Sequence, residues 1–238
     1  MSFRELEIIN MALGHNTSIV TNGLVFYVDA MNPRSTSDSS FWTDVSGYNT
    51  RLTKVGTPSL TTLAGASCYR FTAADQAFTG TFVGPQPNAD CTIETWIYPE
   101  TDVVAGDRGT LLQVHGSSGI YMSWNKSTRQ MSNYWYSHPT EGYWETGAAV
   151  ALNSWHSFTA VWNFSLGAIY QYTNNVKTTG TTTQGYAATG STLDIGRETG
   201  VPSRQFAGGI AFVRMYNRAL SDSEVTQNYN AVRGRFGK

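Results

Sequence analysis

The densest run of groups able to recognise a ligand is Asn133-Tyr134-Trp135-Tyr136-Ser137-His138-Pro139-Thr140-Glu141-Gly142-Tyr143-Trp144. Flat aromatic faces beside amide and carboxylate groups stack on sugar rings and hydrogen-bond their hydroxyls, so Tyr134, Trp135, Tyr136, Tyr143 and Trp144 are candidate carbohydrate contacts. A structural reading competes: Trp135 belongs to a core, and the other rings cover a sheet or fill a subunit contact, where aromatics are also enriched. Other reactive patterns are incomplete. Ser, His and Asp all occur, but no Gly-x-Ser-x-Gly turn presents a nucleophile, and abundance does not make a triad. His15, His115, His138 and His156 have no i, i+2 or i, i+4 partner among themselves or with a cysteine, which argues against zinc. Cys68 and Cys91 are the only cysteines and form no C-x-x-C pair; two buried thiols and one disulfide are both open.

The elements that must position these groups read mainly as strands. Leu24–Val28 is apolar throughout and fits a strand covered on both faces. In residues 91–98, alternation puts Cys91, Ile93 and Thr95 on one side and Thr92, Glu94 and Trp96 on the other, with Pro99 ending the strand. Further strands are expected near 68–72, 78–82, 110–115, 119–124, 130–136, 156–162, 167–172, 191–196 and 206–216. Asn174-Asn175 suits a tight hairpin turn, with Val176 on the return strand. Helical signals sit at the two ends. Ser2-Phe3-Arg4-Glu5 and Ser221-Asp222-Ser223-Glu224 both read as capping boxes, predicting helices over 3–13 and 222–231. The first carries an apolar stripe, Phe3, Leu6, Ile9 and Leu13, that either packs on its own domain or docks on a neighbour. Arg233, Arg235 and Lys238 form a small basic tail, either solvated or docking on an acidic surface.

Composition narrows the class. At 238 residues, one large domain or two small ones are possible, and no repeat or composition break divides the middle of the chain. We therefore expect residues 1–20 as a helical arm and 21–238 as one β-sandwich. Charged residues are 14%, against about 25% in a typical domain, so Ser, Thr, Asn and Gln must cover the surface. A net charge of −1 gives no electrostatic case for nucleic acid or an anionic membrane. No apolar run is long enough to span a bilayer, and the first residues mix charges where a secretory signal would be apolar, which predicts synthesis in a cytoplasm.

Five segments together resemble the concanavalin A-like lectin/glucanase superfamily, of the laminin-G-like kind found in tailed-phage virion proteins. They are Gly23–Pro33 with Trp42–Gly47; Thr92–Pro99; Trp155–Val161 with Tyr172–Lys177; Ser191–Arg197; and Phe206–Ser221, whose Arg218-Ala219-Leu220-Ser221 leads into the last helix. Residues 227–238 resemble the terminal signature of virion proteins in large tailed phages. The resemblance implies an all-β, two-sheet antiparallel jelly-roll sandwich with short N- and C-terminal helices. It also implies a virion protein without enzymatic activity, a capsid decoration or short fibre component. Such a protein would be present in several copies, bound to the major capsid protein or other virion proteins through Phe3, Leu6, Ile9, Leu13, Arg233 and Arg235. The alternative is an adhesin that binds a host surface glycan. Glucanases of the superfamily place two carboxylates at alternate strand positions; here Glu94 stands alone between Thr92 and Trp96 and cannot divide the acid and nucleophile roles. Glu94 is therefore expected as a solvated or hydrogen-bonded face residue. Relatives often hold calcium near a Phe-Asp-Gly-x-x-Asp stretch. The matching Phe71-Thr72-Ala73-Ala74-Asp75 keeps only Asp75, so no cofactor is expected and calcium at Asp75 is the one metal candidate.

Overall fold

The computed structural model describes residues 18–73, 75–85, 90–100, 107–116, 119–136, 144–181 and 191–238; for Trp135, Tyr136, Trp144, Thr146, Thr181 and Pro202 it describes the backbone alone. The helix expected over 3–13, with Phe3, Leu6, Ile9 and Leu13, lies outside the described residues. In chain order the strands are β1 (Leu24–Asp29), β2 (Phe41–Thr43), β3 (Arg51–Val55), β4 (Ser59–Leu63), β5 (Ala66–Phe71), β6 (Ala77–Thr81), β7 (Cys91–Pro99) and β8 (Arg108–His115). They continue with β9 (Gly119–Asn125), β10 (Met131–Tyr136), β11 (Trp144–Thr146), β12 (His156–Asn163), β13 (Ala168–Thr173), β14 (Val176–Thr181), β15 (Thr192–Ile195) and β16 (Gly208–Tyr216). One α-helix, α1 (Asp222–Val232), and a 3-10 turn at Arg233–Phe236 close the described chain.

Two antiparallel sheets result. The first runs β14-β13-β12-β7-β16-β5-β4, with β1 also paired to β16; the second runs β11-β10-β9-β8-β15-β6-β3-β2. This is the expected sandwich. The hydrophobic layer between the sheets takes alternate residues from each strand, including Phe26, Ile93, Phe158 and Val213 from the first sheet and Trp42, Phe78, Leu112, Met122, Trp124 and Leu193 from the second. Trp42, Tyr69 and Phe78 form one aromatic knot, with centroids 4.5–5.3 Å apart. Cys68 and Cys91 are both buried free thiols. Burial pushes the Cys68 thiol up to about 12 and the Cys91 thiol well above its usual range.

Local chemistry explains the connections. Asn174 and Asn175 adopt φ of 51° and 65° between β13 and β14, the left-handed pair that a two-residue hairpin needs. Ser221 caps α1 by accepting from the Glu224 amide, while the Glu224 carboxylate returns to the Ser221 amide. Ser18–Val20, expected in an arm, are bound to the sandwich: the Val20 amide donates to Asn228 Oδ1 at 2.7 Å and the Gln227 side chain donates to the Ser18 carbonyl at 2.8 Å. None of the described helices is long and apolar enough to cross a membrane.

Candidate functional site

The outer faces of the two sheets are unlike. On the first sheet, α1 and the last turn lie across the strands. Trp96 stacks on Phe236 at 4.1 Å and on Tyr229 at 5.6 Å, nearly parallel to both. Glu94, on the same face of β7, is sealed beneath them. Its carboxylate accepts from Asn228 Nδ2 at 2.8 Å and lies 3.5 Å from Arg214 Nη1. Burial pushes the Glu94 pKa up, and Arg214 and Asn228 pull against it. Arg214 is fully buried between the rings of Phe212 and Tyr27, 4.2 and 4.9 Å from its guanidinium carbon. The void left among these groups is about 10 Å³, too small for a sugar. Of the two positions open to Glu94 from sequence, the solvated one is wrong, because α1 covers it; the hydrogen-bonded one holds.

The basic tail is also committed. Arg235 grips Asp29 with two hydrogen bonds of 2.7 and 2.8 Å, so it is not available for docking elsewhere. Burial would raise Asp29, but the bonds from Arg235 and the Tyr27 hydroxyl outweigh it and hold the carboxyl below its usual range. Arg233 is exposed.

The second sheet presents a polar outer face. Its register lines up one residue from each of seven adjacent strands: Tyr134, Tyr121, Gln113, Asp194, Thr79, Thr53 and Phe41. Their strand neighbours Met122, Leu112, Leu193, Phe78, Leu52 and Trp42 point into the core, so alternation turns the row outward. At about 4.8 Å per strand, the row extends roughly 29 Å. At one end the half-buried rings of Tyr121 and Tyr134 meet at 5.6 Å and 58°, an open V. Gln113 donates to the Tyr121 hydroxyl at 2.9 Å.

A loop braces the middle of the row. Gly196, at φ 93°, turns the chain off β15 where a Cβ would come within 2.4 Å of the Phe71 ring. Gln205 anchors the far end of the loop by donating to the carbonyls of Gly196 and Gln76. Between them, the exposed Thr199 donates its amide to Gln113 at 3.1 Å and its hydroxyl to Asp194 Oδ2 at 2.6 Å. His115 Nε2 lies 3.0 Å from the same oxygen, while Asp194 Oδ1 is buried with no donor among the described residues. Beside the row, the Glu145 carboxylate accepts from Arg108 Nη2 and Asn125 Nδ2, each at 2.7 Å, and Arg108 also pairs with Asp107. Gln113 and Asp194 are themselves buried beneath the Gly196–Gln205 loop, so what the face presents is the half-buried pair of tyrosine rings with the exposed Thr199 and Thr53 beside them.

Tyr134 is the sequence-predicted contact that falls on this row. The Trp135 and Tyr136 backbones pair with Ile120 and Gly119, and the Trp144 backbone with Asn133; Tyr143 lies outside the described residues. Tyr121, Gln113, Asp194 and Thr199 were not anticipated. The alternation of Ile120, Met122 and Trp124 with Tyr121 and Ser123 was a signal for the first of them. Asp75 sits at φ 69° with an exposed carboxylate 3.9 Å from Arg197. Among the described residues, no three His, Cys, Asp or Glu side chains come together as a metal site. A separate concavity of about 380 Å³ is lined by Arg70, Glu100 and Asn153, but Arg70 and Glu100 are already joined at 2.6 Å.

Two antiparallel sheets packed face to face make a jelly-roll-like β-sandwich. The laminin-G-type profile of the concanavalin A-like lectin/glucanases superfamily matches residues 71–226, more than half of the chain, and the protein belongs to that superfamily. A search of curated proteins found no match. Solved structures of similar fold include the receptor-binding domain of botulinum neurotoxin D, with a TM-score of 0.68 at 12% identity, covering 88% of this chain and 52% of that one. The serotype G binding domain is similar at 0.66 and 13%, covering 87% and 50%. A botulinum neurotoxin type C structure, described as depending on interaction with two ganglioside molecules to reach the inside of cells, scores 0.66 at 12%, covering 90% and 52%. This chain spans about half the length of those structures, and the likeness is one of fold.

Proposed function

We propose that this domain is a non-catalytic glycan-binding module whose contact surface is the outer face of the second sheet, centred on Tyr121 and Tyr134. The observation that carries the reading is the outward, half-buried pair of rings Tyr134 and Tyr121, backed by the buried Gln113 and flanked by the Glu145–Arg108–Asn125 network, on the sheet face that α1 leaves uncovered. Ganglioside interaction in a structure of similar fold supports glycan binding as a class and says nothing of the charge of the glycan bound here. The isolated, enclosed Glu94 supports binding over hydrolysis, since its charged neighbour is Arg214 and not a second acid. A glycan array probed with the full chain tests the reading. The wild type should retain a defined set of glycans, and Tyr121→Ala or Tyr134→Ala should each weaken retention about tenfold, the effect of one lost ring contact. Folded protein that binds no glycan, or binds equally well without both rings, sinks it.

The setting we propose for this module is a tailed-phage particle, where it serves as a capsid decoration or short fibre component in several copies. Multiple copies would multiply a modest single-site affinity. The support is the sequence resemblance of residues 23–33 with 42–47, and of residues 227–238, to proteins of tailed-phage particles. The anchor in this reading is the 3–13 stripe together with Arg233. Deleting residues 1–14 should abolish incorporation into particles and leave the sandwich folded; normal incorporation counts against it.

A further inference from the structure

Resting on the glycan reading of the second-sheet face, we propose that its ligand is an uncharged oligosaccharide or polysaccharide, recognised through hydroxyls, and not a sialylated, uronic or sulfated one. A carboxylated or sulfated sugar needs a cation whose charge is not already matched. The arginines that flank the aromatic end of the row, Arg108 and Arg204, are matched with carboxylates. Arg108 Nη2 bonds Glu145 at 2.7 Å and Arg108 also pairs with Asp107. Arg204 bonds Glu198 at 2.8 Å and lies 3.9 Å from Asp107. Arg51 lies 3.5 Å from Asp38 with its guanidinium over the Phe41 ring; Arg197 is held more loosely, 3.9 Å from the exposed Asp75 and with its Nε buried and without an acceptor among the described residues. His115 faces the fully buried Asp194. Lys126 is almost fully buried, with Nζ 3.4 Å from the Ser203 carbonyl. Arg129 belongs to the turn of the β9–β10 hairpin, at the end of the strands and away from the row.

The acceptor balance points the same way. Asp194 has an oxygen with no donor among the described residues, and Glu145, Glu198 and Asp107 line the same sheet, so a further anion there meets like charge. Lys54, on β3, is half-buried and shares the side of Leu52, which packs in the core, so alternation turns it away from the row. Hydroxyl groups, which donate and accept, fit such a surface without a charge-matching partner.

Titration calorimetry on the full chain tests this with maltoheptaose, cellohexaose and a β-1,4-galactan fragment as neutral probes and sialyllactose, a heparin oligosaccharide and oligogalacturonate as anionic ones. Affinity for at least one neutral probe should exceed that for every anionic probe by about tenfold or more. It should also change less than about twofold as ionic strength rises from about 0.01 M to about 0.15 M, which shortens the Debye length from about 30 to about 8 Å. Tighter binding of an anionic probe that weakens with salt overturns the inference while leaving the glycan-binding reading intact. Absence of binding to both classes by folded protein removes both. Glu145→Gln, which releases Arg108 from one carboxylate, should raise affinity for an anionic probe several-fold; Glu198→Gln, releasing Arg204, repeats the test at an independent pair if the first variant misfolds. Unchanged anionic affinity in both folded variants also overturns the charge-matching argument.

Discussion

The outer faces of the two sheets are built from the same alternating strands and serve opposite ends. On the first sheet, Trp96, Phe212 and Glu94 point outward from the sandwich and are then buried a second time by α1 and the turn at Phe236. On the second, Tyr121, Tyr134 and Thr53 point outward and remain at least partly accessible among the described residues, and the Gly196–Gln205 loop leans on the centre. The strands alone do not separate the two cases. What separates them is the last 17 residues, which cover one face with aromatic stacking, the Asn228 bond to Glu94 and the Arg235–Asp29 clasp.

The sharpest way to break this contrast is to damage the covered face and ask whether the open one notices. Glu94→Ala leaves the Arg214 guanidinium buried and unmatched, so unfolding free energy should drop by about 3–5 kcal/mol. The double change of Glu94→Leu with Arg214→Met should recover most of that in chemical denaturation, because an apolar pair carries no desolvation cost. A double variant no more stable than the single would show that the pair does more than neutralise itself. Phe236→Ala removes the ring stacked on Trp96 and should cost about 3–4 kcal/mol, read as a lowered melting temperature. In every variant that still folds, glycan affinity should be unchanged; a parallel loss would mean that the faces are coupled.

Acid should weaken the covered face first. Asp29 has a folded pKa below its unfolded value near 3.9, so its contribution is complete above that value and is lost as pH falls through the folded pKa. Wild type should exceed Asp29→Asn in stability by about 2 kcal/mol at pH 7, the scale of a charge-assisted pair. The gap should close below about pH 4. A gap that persists at low pH would assign the effect to packing of the Arg235 stem.

How much of this was legible without coordinates differs between the same two faces. Strong local signals were read correctly: the Asn174-Asn175 turn, the Ser221/Glu224 capping box, and the alternation that sends Glu94 and Trp96 to one side of β7. These depend on neighbours in sequence. The short strands β2, β3, β4 and β11 went unrecognised, since Phe41–Thr43 or Trp144–Thr146 is too brief to establish a period. The covering of Glu94 was out of reach for a different reason. It depends on Asn228, 134 residues away, and no local pattern encodes that meeting. The same holds for the row on the second sheet. Tyr134 stood out because it sits among other aromatics, whereas Gln113, Asp194 and Thr199 become neighbours only through the register of β8 with β15 and the loop that Gly196 permits.

The smallest expected effect concerns the centre of that row, where covered and open character meet. Thr199→Val keeps the shape and the amide bond to Gln113 but removes the hydroxyl that donates to Asp194 at 2.6 Å. A fully buried carboxylate then has one donor fewer, which should cost about 1–2 kcal/mol of stability. If glycans are held by the Tyr121–Tyr134 end, affinity should move by less than about twofold, because those rings keep their 5.6 Å approach and Gln113 keeps its bond to the Tyr121 hydroxyl. A larger loss of affinity than of stability would shift the contact surface toward Asp194 and make the bracing loop part of the recognition surface, with Thr199 as its point of contact.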